Sequence, residues 1–119
     1  MSKTVLVVDD QIGIRLLLEE VIHQEGYNVE VAINGKEALD AITTKQPDLI
    51  LLDYKLPIID GPSLVKKLEA QNISVPTVVM SGLPDKANDQ MKDFNSVIKT
   101  IGKPFQLNDI REMVHDILK

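Results

Sequence analysis

Acidic residues stand directly after two strongly apolar segments of this sequence. Asp9 and Asp10 follow VLVV at residues 5–8, and Asp53 follows LILL at residues 49–52. Carboxylates can act as nucleophiles, as general bases or as ligands of a hard cation. Three of them in one place would repel each other by ~1 kcal/mol per pair in water, and several times more at a lower effective dielectric constant. Such a group needs a cation, and oxygen ligands without His or Cys favour Mg²⁺.

A hydroxyl and an ammonium group follow two further apolar segments. Ser81 comes after TVVM at residues 77–80, and Lys103 follows VIKTI at residues 97–101 and opens the tripeptide KPF. Taken singly, these residues are unremarkable, because serine is common in turns and a lone lysine is usually solvated. Together with the carboxylates, they would surround a phosphoryl group with a metal ion, an ammonium and a hydroxyl donor.

The apolar segments and the stretches between them predict alternating strands and helices. Strands are predicted at residues 4–8, 28–32, 48–52, 76–80 and 97–101. Helices are predicted over residues 12–25 and 36–45, from Pro62 onwards, over residues 84–95 and from Leu107 to Leu118. Continuously apolar strands are typical of a sheet that is covered on both faces, whereas NVEVA alternates and suits an edge. Five strands that alternate with helices imply parallel strands, right-handed crossovers and a doubly wound α/β fold.

Some element ends carry local signals. Asn34 is predicted to cap the second helix, and Pro62 fits the first turn of the third. Asp60 and Gly61 are expected to form a plain turn before that helix. The segment at residues 84–95 is the weakest helix pattern, because it is polar and rich in poor helix formers.

Composition limits the class of protein. The 119 residues fit one domain, and 44% hydrophobic with 26% charged residues is the balance of a globular protein. No apolar run reaches the ~20 residues that cross a bilayer, and no secretory pattern opens the chain, so we expect a cytoplasmic protein. The absence of cysteine excludes disulfides, and a formal charge of −5 argues against nucleic acid as a partner. His23 and His115 lie in helix patterns and are expected to be exposed.

In doubly wound sheets, ligands bind beyond the carboxyl ends of the strands, where the strand order reverses. Every chemical group described above follows the end of a predicted strand. We therefore expect the three carboxylates, the serine and the lysine to meet in one crevice.

Four motifs in register resemble the receiver domain of two-component response regulators: VLVVDD, LILLDYKLPIIDG, VVMSG and GKPF. Each motif is weak alone, but their order and spacing across the whole chain are specific. The resemblance implies a flavodoxin-like, five-stranded parallel sheet of order 2-1-3-4-5 with five helices on both faces. It also implies one receiver domain over residues 1–119, without an output domain, that acts as a monomer.

The resemblance assigns metal and nucleophile roles to the acidic residues. Asp53 would be the phosphorylated nucleophile, a choice between Asp53 and Asp10 that the residues alone leave open. Asp10 would bind Mg²⁺, or Mn²⁺ in its place, directly, while Asp9 would assist through water. The backbone carbonyl of Lys55 would supply a further ligand.

The same resemblance gives roles to residues of the fourth and fifth strands. Ser81 and Lys103 would bind the phosphoryl oxygens, and the bond between Lys103 and Pro104 would be cis. Thr100 departs from the family, because receivers with output control usually carry Tyr or Phe three residues before this lysine. Without an aromatic rotamer switch, the sequence favours relay over output control.

A further similarity, in VDDQIGIRLLLEEV and EGY, is to single-domain receivers of the sporulation phosphorelay in Bacillus-type bacteria. It implies a protein that takes a phosphoryl group from a sensor histidine kinase and passes it to a histidine phosphotransferase. Such a protein catalyses only its own phosphorylation and dephosphorylation. The alternatives are a chemotaxis-type receiver that acts by binding, a Mg²⁺-dependent phosphatase-like hydrolase and a degenerate receiver used as a binding module. The hydrolase would need an Asp-x-Asp pair, which VVDDQI lacks.

The first predicted helix carries more apolar residues than one face can bury. Ile12 and Leu16 fall almost opposite the main stripe, which consists of Ile14, Leu17, Leu18, Val21 and Ile22. A helix of this kind often binds a partner. The resemblance places partner contacts at Gln11, Ile14, Leu17, Pro104 and Phe105.

Overall fold

A computed structural model describes residues 2–119, which form one parallel sheet with helices on both faces. The strands are β1 (Thr4–Val8), β2 (Asn28–Ala32), β3 (Leu49–Asp53), β4 (Thr77–Ser81) and β5 (Val97–Gly102). The helices are α1 (Ile12–Gln24), α2 (Gly35–Thr44), α3 (Gly61–Ala70), α4 (Pro84–Met91) and α5 (Leu107–Leu118). The strand order is β2-β1-β3-β4-β5, which confirms the predicted doubly wound fold. Within the described residues, none of these helices has the length and apolar character to span a membrane.

Two apolar cores cover the two faces of the sheet. Side chains alternate along each strand, so Val5 and Val7 of β1 pack with α1 and α5, whereas Leu6 and Val8 pack with α2, α3 and α4. Strands β3 and β4 are buried along their whole length, which explains their continuously apolar sequences. Strand β2 lies at an edge of the sheet, as its alternating pattern predicted.

The ends of α2 and α3 follow from local hydrogen bonding. The side chain of Asn34 accepts the backbone N–H of Glu37 at 2.8 Å, which confirms the predicted cap. Asp60 does more than form the plain turn that we expected, because its carboxylate accepts the N–H of Ser63 at 2.9 Å and caps α3. Gly61 is already the first residue of that helix.

Helix α4 is shorter than predicted, since it ends at Met91 rather than at residue 95. The N–H of Phe94 donates to the carbonyl of Met91, and the chain then turns into β5. Ser96, just before β5, donates its N–H and its hydroxyl to the Glu69 carboxylate of α3 at 3.3 and 3.1 Å. The entry to β5 is therefore held by a side chain from α3.

The loop between β3 and α3 lies against the start of α2. A Cβ atom added at Gly35 would stand 2.0 Å from the carbonyl oxygen of Ile59, so only glycine allows this approach. Ile58, which precedes Ile59 in this loop, has a φ of 71°, in the left-handed region that β-branched residues rarely adopt. Its side chain is 73% exposed. The loop beside Asp53 is therefore held in a strained shape.

We expect Gly35→Ala to lower the free energy of unfolding by about 2 kcal/mol or more, because the new methyl group would force the loop at Ile59 away from the start of α2. Gly13→Ala is the matched control: it lies in α1 with nothing within 4 Å of an added Cβ. That change should raise stability by roughly 0.5–1 kcal/mol. Urea unfolding of both variants is the measurement, and equal effects would contradict the close approach.

Candidate functional site

The predicted carboxylates meet at the carboxyl edge of the sheet. Strands β1 and β3 are neighbours, with Val8 paired to Leu52, so the residues that follow them lie side by side. One oxygen from each of Asp9, Asp10 and Asp53 lies within 4.8 Å of the others. The parallel topology thus concentrates three negative charges in one crevice.

Lys103 supplies the positive charge that the crevice needs. Its Nζ lies 2.7 Å from Oδ2 of Asp9 and 3.3 Å from Oδ1 of Asp53. The side chain is only 18% exposed, so solvent screens these ion pairs weakly. Its backbone N–H donates to the carbonyl of Ser81 at 2.8 Å, and its bond to Pro104 is cis, as the resemblance implied.

Asp9 and Asp10 differ sharply in their surroundings. Asp9 is fully buried, and its carboxylate accepts the N–H of Gln11 at 2.9 Å as well as the Lys103 ammonium. Its backbone carbonyl accepts a hydrogen bond from Nη1 of Arg15 at 2.9 Å. Asp10 is exposed at the mouth of the crevice. Asp10 is therefore open to a ligand from solvent, whereas Asp9 is held inside by protein donors.

The pKa of Asp53 is raised above its ordinary value of 3.8, mainly because burial penalises the charged carboxylate and secondly because Asp9 repels it. The Lys103 ammonium and the backbone N–H of Lys55 act in the opposite direction. The neighbouring donors therefore stabilise the negative charge of the Asp53 carboxylate only in part.

Ser81 closes the site on the side of β4. It is buried, and its Oγ accepts the N–H of Leu83 at 3.0 Å, which leaves the hydroxyl hydrogen available to an incoming oxygen. A cavity of about 330 Å³ opens here. It is lined by Asp10, Gln11, Asp53, Lys55, Ser81, Gly82, Leu83 and Lys103.

Of the five predicted partner residues, Gln11 lines this cavity, and the five differ in their exposure. Gln11 and Pro104 are exposed, Leu17 is 39% exposed, and Ile14 and Phe105 are half-buried against the core of α1 and α5. Both histidines are exposed, as expected.

Sequence reasoning missed several exposed apolar residues at the same edge. Ile33, Ile58 and Leu83 follow β2, β3 and β4, and their exposures are 43%, 73% and 57%. Ile12 at the start of α1, which the helical pattern had placed almost opposite the main stripe, is also exposed, at 65%. Single apolar residues in the loops after the strands were the available signal. All four follow strands at the carboxyl edge of the sheet, where the acidic cavity opens, and Leu83 lines that cavity; we call these four residues the apolar rim.

Thr100 lies in β5 beside Val79 of β4. Its Oγ1 is buried and has no hydrogen-bond partner among the described residues. Thr100 thus lacks the aromatic ring that is usual at this position, and its hydroxyl forms no hydrogen bond with the described residues in place of the ring's contacts.

The family profile of the response regulator receiver domain matches residues 5–115. The chain belongs to this family. Receiver domains are the phosphoacceptor domains of response regulators, and they bind Mg²⁺ at an acidic pocket. The all-oxygen cluster of Asp9, Asp10 and Asp53 fits such an ion.

Relatives of this receiver domain include proteins of equal and of greater length. It is 36% identical over 118 residues to sporulation initiation phosphotransferase F of Bacillus subtilis, covering 99% of this chain and 95% of that protein. It is 33% identical over 119 residues to the alkaline phosphatase synthesis transcriptional regulatory protein PhoP of B. subtilis, covering all of this chain and 50% of that one. The chain therefore spans about half the length of that regulator.

Solved structures show the same fold. Chemotaxis response regulator CheY4 of Vibrio cholerae superposes with a TM-score of 0.87 at 27% identity, covering 99% of this receiver and 100% of CheY4. NtrX of Brucella abortus gives a TM-score of 0.87 at 29% identity, covering 99% of this receiver and 27% of NtrX.

The raised pKa of Asp53 predicts how this receiver's stability depends on pH. The folded state holds this proton more tightly than the unfolded chain, so the free energy of unfolding falls as the pH rises from 3.8 through the raised value. Asp53→Asn removes the charge. Without Mg²⁺ at pH 7, we expect the variant to be more stable than the wild type by on the order of 1 kcal/mol.

That gain should shrink as the pH falls through the same interval, because the wild-type carboxyl then becomes neutral as well. Urea unfolding at several pH values measures it. Asp40→Asn is the control, since Asp40 forms only an exposed pair with Lys36 at 3.4 Å. An Asp53→Asn variant less stable than the wild type at pH 7 would contradict the prediction.

Proposed function

We propose that this receiver acts as a phosphorelay protein. It accepts a phosphoryl group on Asp53 from a sensor histidine kinase and passes it to the histidine of a phosphotransferase. The observation that carries the proposal is the position of Asp53, which is 8% exposed at the cavity with the Lys103 ammonium 3.3 Å from its oxygen. The similarity to a sporulation phosphotransferase over 95% of that relative's length supports the relay role.

The chemistry of the proposal is reversible phosphoryl transfer. A carboxylate oxygen of Asp53 attacks phosphorus, the bond between phosphorus and the histidine nitrogen of the donor breaks, and an acyl phosphate forms. The reverse step delivers the group to the second histidine. Lys103 and the Ser81 hydroxyl bind the phosphoryl oxygens. Asp10, Asp53 and the Lys55 carbonyl would hold Mg²⁺, with Asp9 assisting through water, and the ion would supply further positive charge to those oxygens.

The surroundings of the three carboxylates favour Asp53 as the nucleophile. Both oxygens of Asp9 already accept hydrogen bonds from Gln11 and Lys103, and this residue is fully buried. Asp10 is exposed and suits metal binding from solvent. Asp53 combines a cavity in front of it with a cation beside it, which is the arrangement that phosphoryl transfer needs.

Docking of the partner histidine uses the apolar rim and the first helix. Transfer requires an in-line approach to Asp53, and an error of about 1 Å can cost ~100-fold in rate. Ile12, Leu17, Ile58 and Leu83 expose apolar surface around the cavity and would hold a partner in place. Gln11, Ile14, Pro104 and Phe105 complete this surface. We place the protein in the cytoplasm as a monomer that binds neither nucleic acid nor membrane.

A chemotaxis-type receiver that acts by binding is the second candidate, and the close superposition with CheY4 over its whole length favours it. Such a protein needs phosphorylation but no onward transfer. Thr100 argues against it, because no aromatic ring can couple Ser81 to an output surface.

We expect acetyl phosphate with Mg²⁺ to add one phosphoryl group to the wild type and none to Asp53→Asn, as measured by intact mass. Hydroxylamine should remove the group, since acyl phosphates react with it. EDTA should suppress the labelling. An adduct that resists hydroxylamine would point to a hydroxyl such as Ser81 and overturn the assignment of Asp53.

We expect Ile12→Ser and Leu17→Ala to slow transfer to a phosphotransferase histidine at least tenfold, with little change in labelling by acetyl phosphate. Thr100→Ala should leave both reactions largely intact. Ile98→Ser is the matched control, because Ile98 is 51% exposed near the start of β5, away from the carboxyl edge. Loss of transfer in Thr100→Ala, with normal transfer in the first-helix variants, would replace the docking surface with a switch in β4 and β5.

A further inference from the structure

Arg15 of α1 reaches back to the peptide group that joins Asp9 to Asp10. Its Nη1 donates to the backbone carbonyl of Asp9 at 2.9 Å. Asp9 is fully buried, so this carbonyl oxygen is shielded from solvent. Among residues 2–119, no backbone N–H and no other side chain donates to it. The guanidinium of Arg15 therefore pairs a buried oxygen that would be costly to leave without a donor.

The position of Asp10 depends on the same peptide group. The side chain of Asp10 is exposed and takes part in no hydrogen bond or ion pair with the described residues. The Asp9 carboxylate, in contrast, is held by the Gln11 N–H and by Lys103. Because the peptide unit is planar, a donor that fixes the Asp9 carbonyl also fixes the N–H and the Cα atom of Asp10. The backbone thus sets the direction in which the Asp10 carboxylate points.

The stability of α1 does not account for an arginine at this position. Arg15 is the fourth residue of the helix, near the end at which the helix dipole disfavours a cation. Among residues 2–119, no carboxylate forms an ion pair with its guanidinium. The side chain is half-buried, and its ordering costs conformational entropy. Its hydrogen bond to the Asp9 carbonyl is the one polar contact that the side chain makes with the described residues.

We propose that Arg15 is a positioning residue of the metal site: by holding the Asp9 carbonyl, it places the Asp10 carboxylate for Mg²⁺. The proposal rests on the proposed role of Asp10 as a Mg²⁺ ligand. The charge of Arg15 alone would act in the opposite direction, because a guanidinium repels an incoming Mg²⁺. Loss of the side chain should therefore weaken Mg²⁺ binding if Arg15 positions Asp10, and strengthen it if charge is its only influence.

Mg²⁺ alone is the probe, titrated into the full ¹⁵N-labelled chain at ~0.15 M salt, where distant charges are screened. We expect Arg15→Met to raise the dissociation constant about tenfold, as loss of a group behind a metal ligand commonly does. Arg15→Lys keeps the charge and a donor, so its constant should lie between those of Arg15→Met and the wild type. The Mg²⁺ concentration for half-maximal labelling by acetyl phosphate should rise in the same order, with a smaller change in the rate at saturating Mg²⁺.

Arg111→Met is the matched control. Arg111 is a half-buried arginine of α5 that donates to Asn108 at 2.9 Å and to Gln24, the last residue of α1, at 3.4 Å. This change removes the same charge at the opposite end of α1 from Arg15, and its Mg²⁺ affinity should stay within twofold of the wild type. Tighter or unchanged Mg²⁺ binding by Arg15→Met, or equal weakening in Arg111→Met, would overturn the role of Arg15.

Two further variants keep the outcomes distinct. Asp10→Asn should itself weaken Mg²⁺ binding, and an unchanged affinity would refute the proposed ligand set and this inference with it. A weakened Asp10→Asn beside an unaffected Arg15→Met would refute the role of Arg15 alone. If Arg15→Met does not fold, Arg15→Lys decides, because an influence of charge alone requires it to bind Mg²⁺ as the wild type does.

Discussion

The ion pair between Lys103 and Asp9 is the interaction on which the site depends. It joins the ends of β5 and β1, which are 94 residues apart in sequence, at 2.7 Å. A buried carboxylate without a partner is strongly destabilising, and two further carboxylates lie within 4.8 Å of it. The lysine also reaches Asp53. One ammonium thus holds together a cluster that would otherwise push the central strands apart, and it leaves an excess of negative charge for a cation to neutralise.

The order of the strands makes this arrangement available. The two strands that end in carboxylates are adjacent, and β4 and β5 follow on one side, so a long side chain from the edge can reach across to the centre. The apolar cores on both faces offset the electrostatic cost. A site of this kind needs no insertion, because the last residues of the strands and the loops that follow them provide every group.

Much of the fold was predictable because the strongest signals in the sequence are local. The strands match to within one residue, since runs such as LILL are buried on both faces and have no other stable environment. Asn34 caps α2 through a bond to its own neighbour. The end of α4 was not predictable in this way, because the turn at Phe94 and the bond from Ser96 to Glu69 depend on where α3 lies. The left-handed φ of Ile58 was likewise not predictable, because isoleucine rarely adopts a positive φ.

The site likewise has features that local sequence signals predict and features that depend on tertiary packing. Spacing alone predicted that Asp9, Asp10 and Asp53 would meet, because strand ends of a parallel sheet share one edge. Spacing could not assign different roles to the three carboxylates, since they differ in burial and in the donors around Asp9. Ile33, Ile58 and Leu83 of the apolar rim were missed because a single apolar residue in a loop belongs to no periodic pattern.

Asp53 is the last residue of β3, a strand that is buried throughout and paired on both sides by β1 and β4. Amide hydrogens in such a strand exchange with solvent only when the whole domain unfolds, whereas loops open locally at much lower free energy. Asp53 is thus attached to the most firmly held kind of segment, while Asp10 and the apolar rim lie in or next to loops, which open at lower free energy. Movements of the loops at the mouth of the cavity can therefore leave the position of the Asp53 carboxylate unchanged.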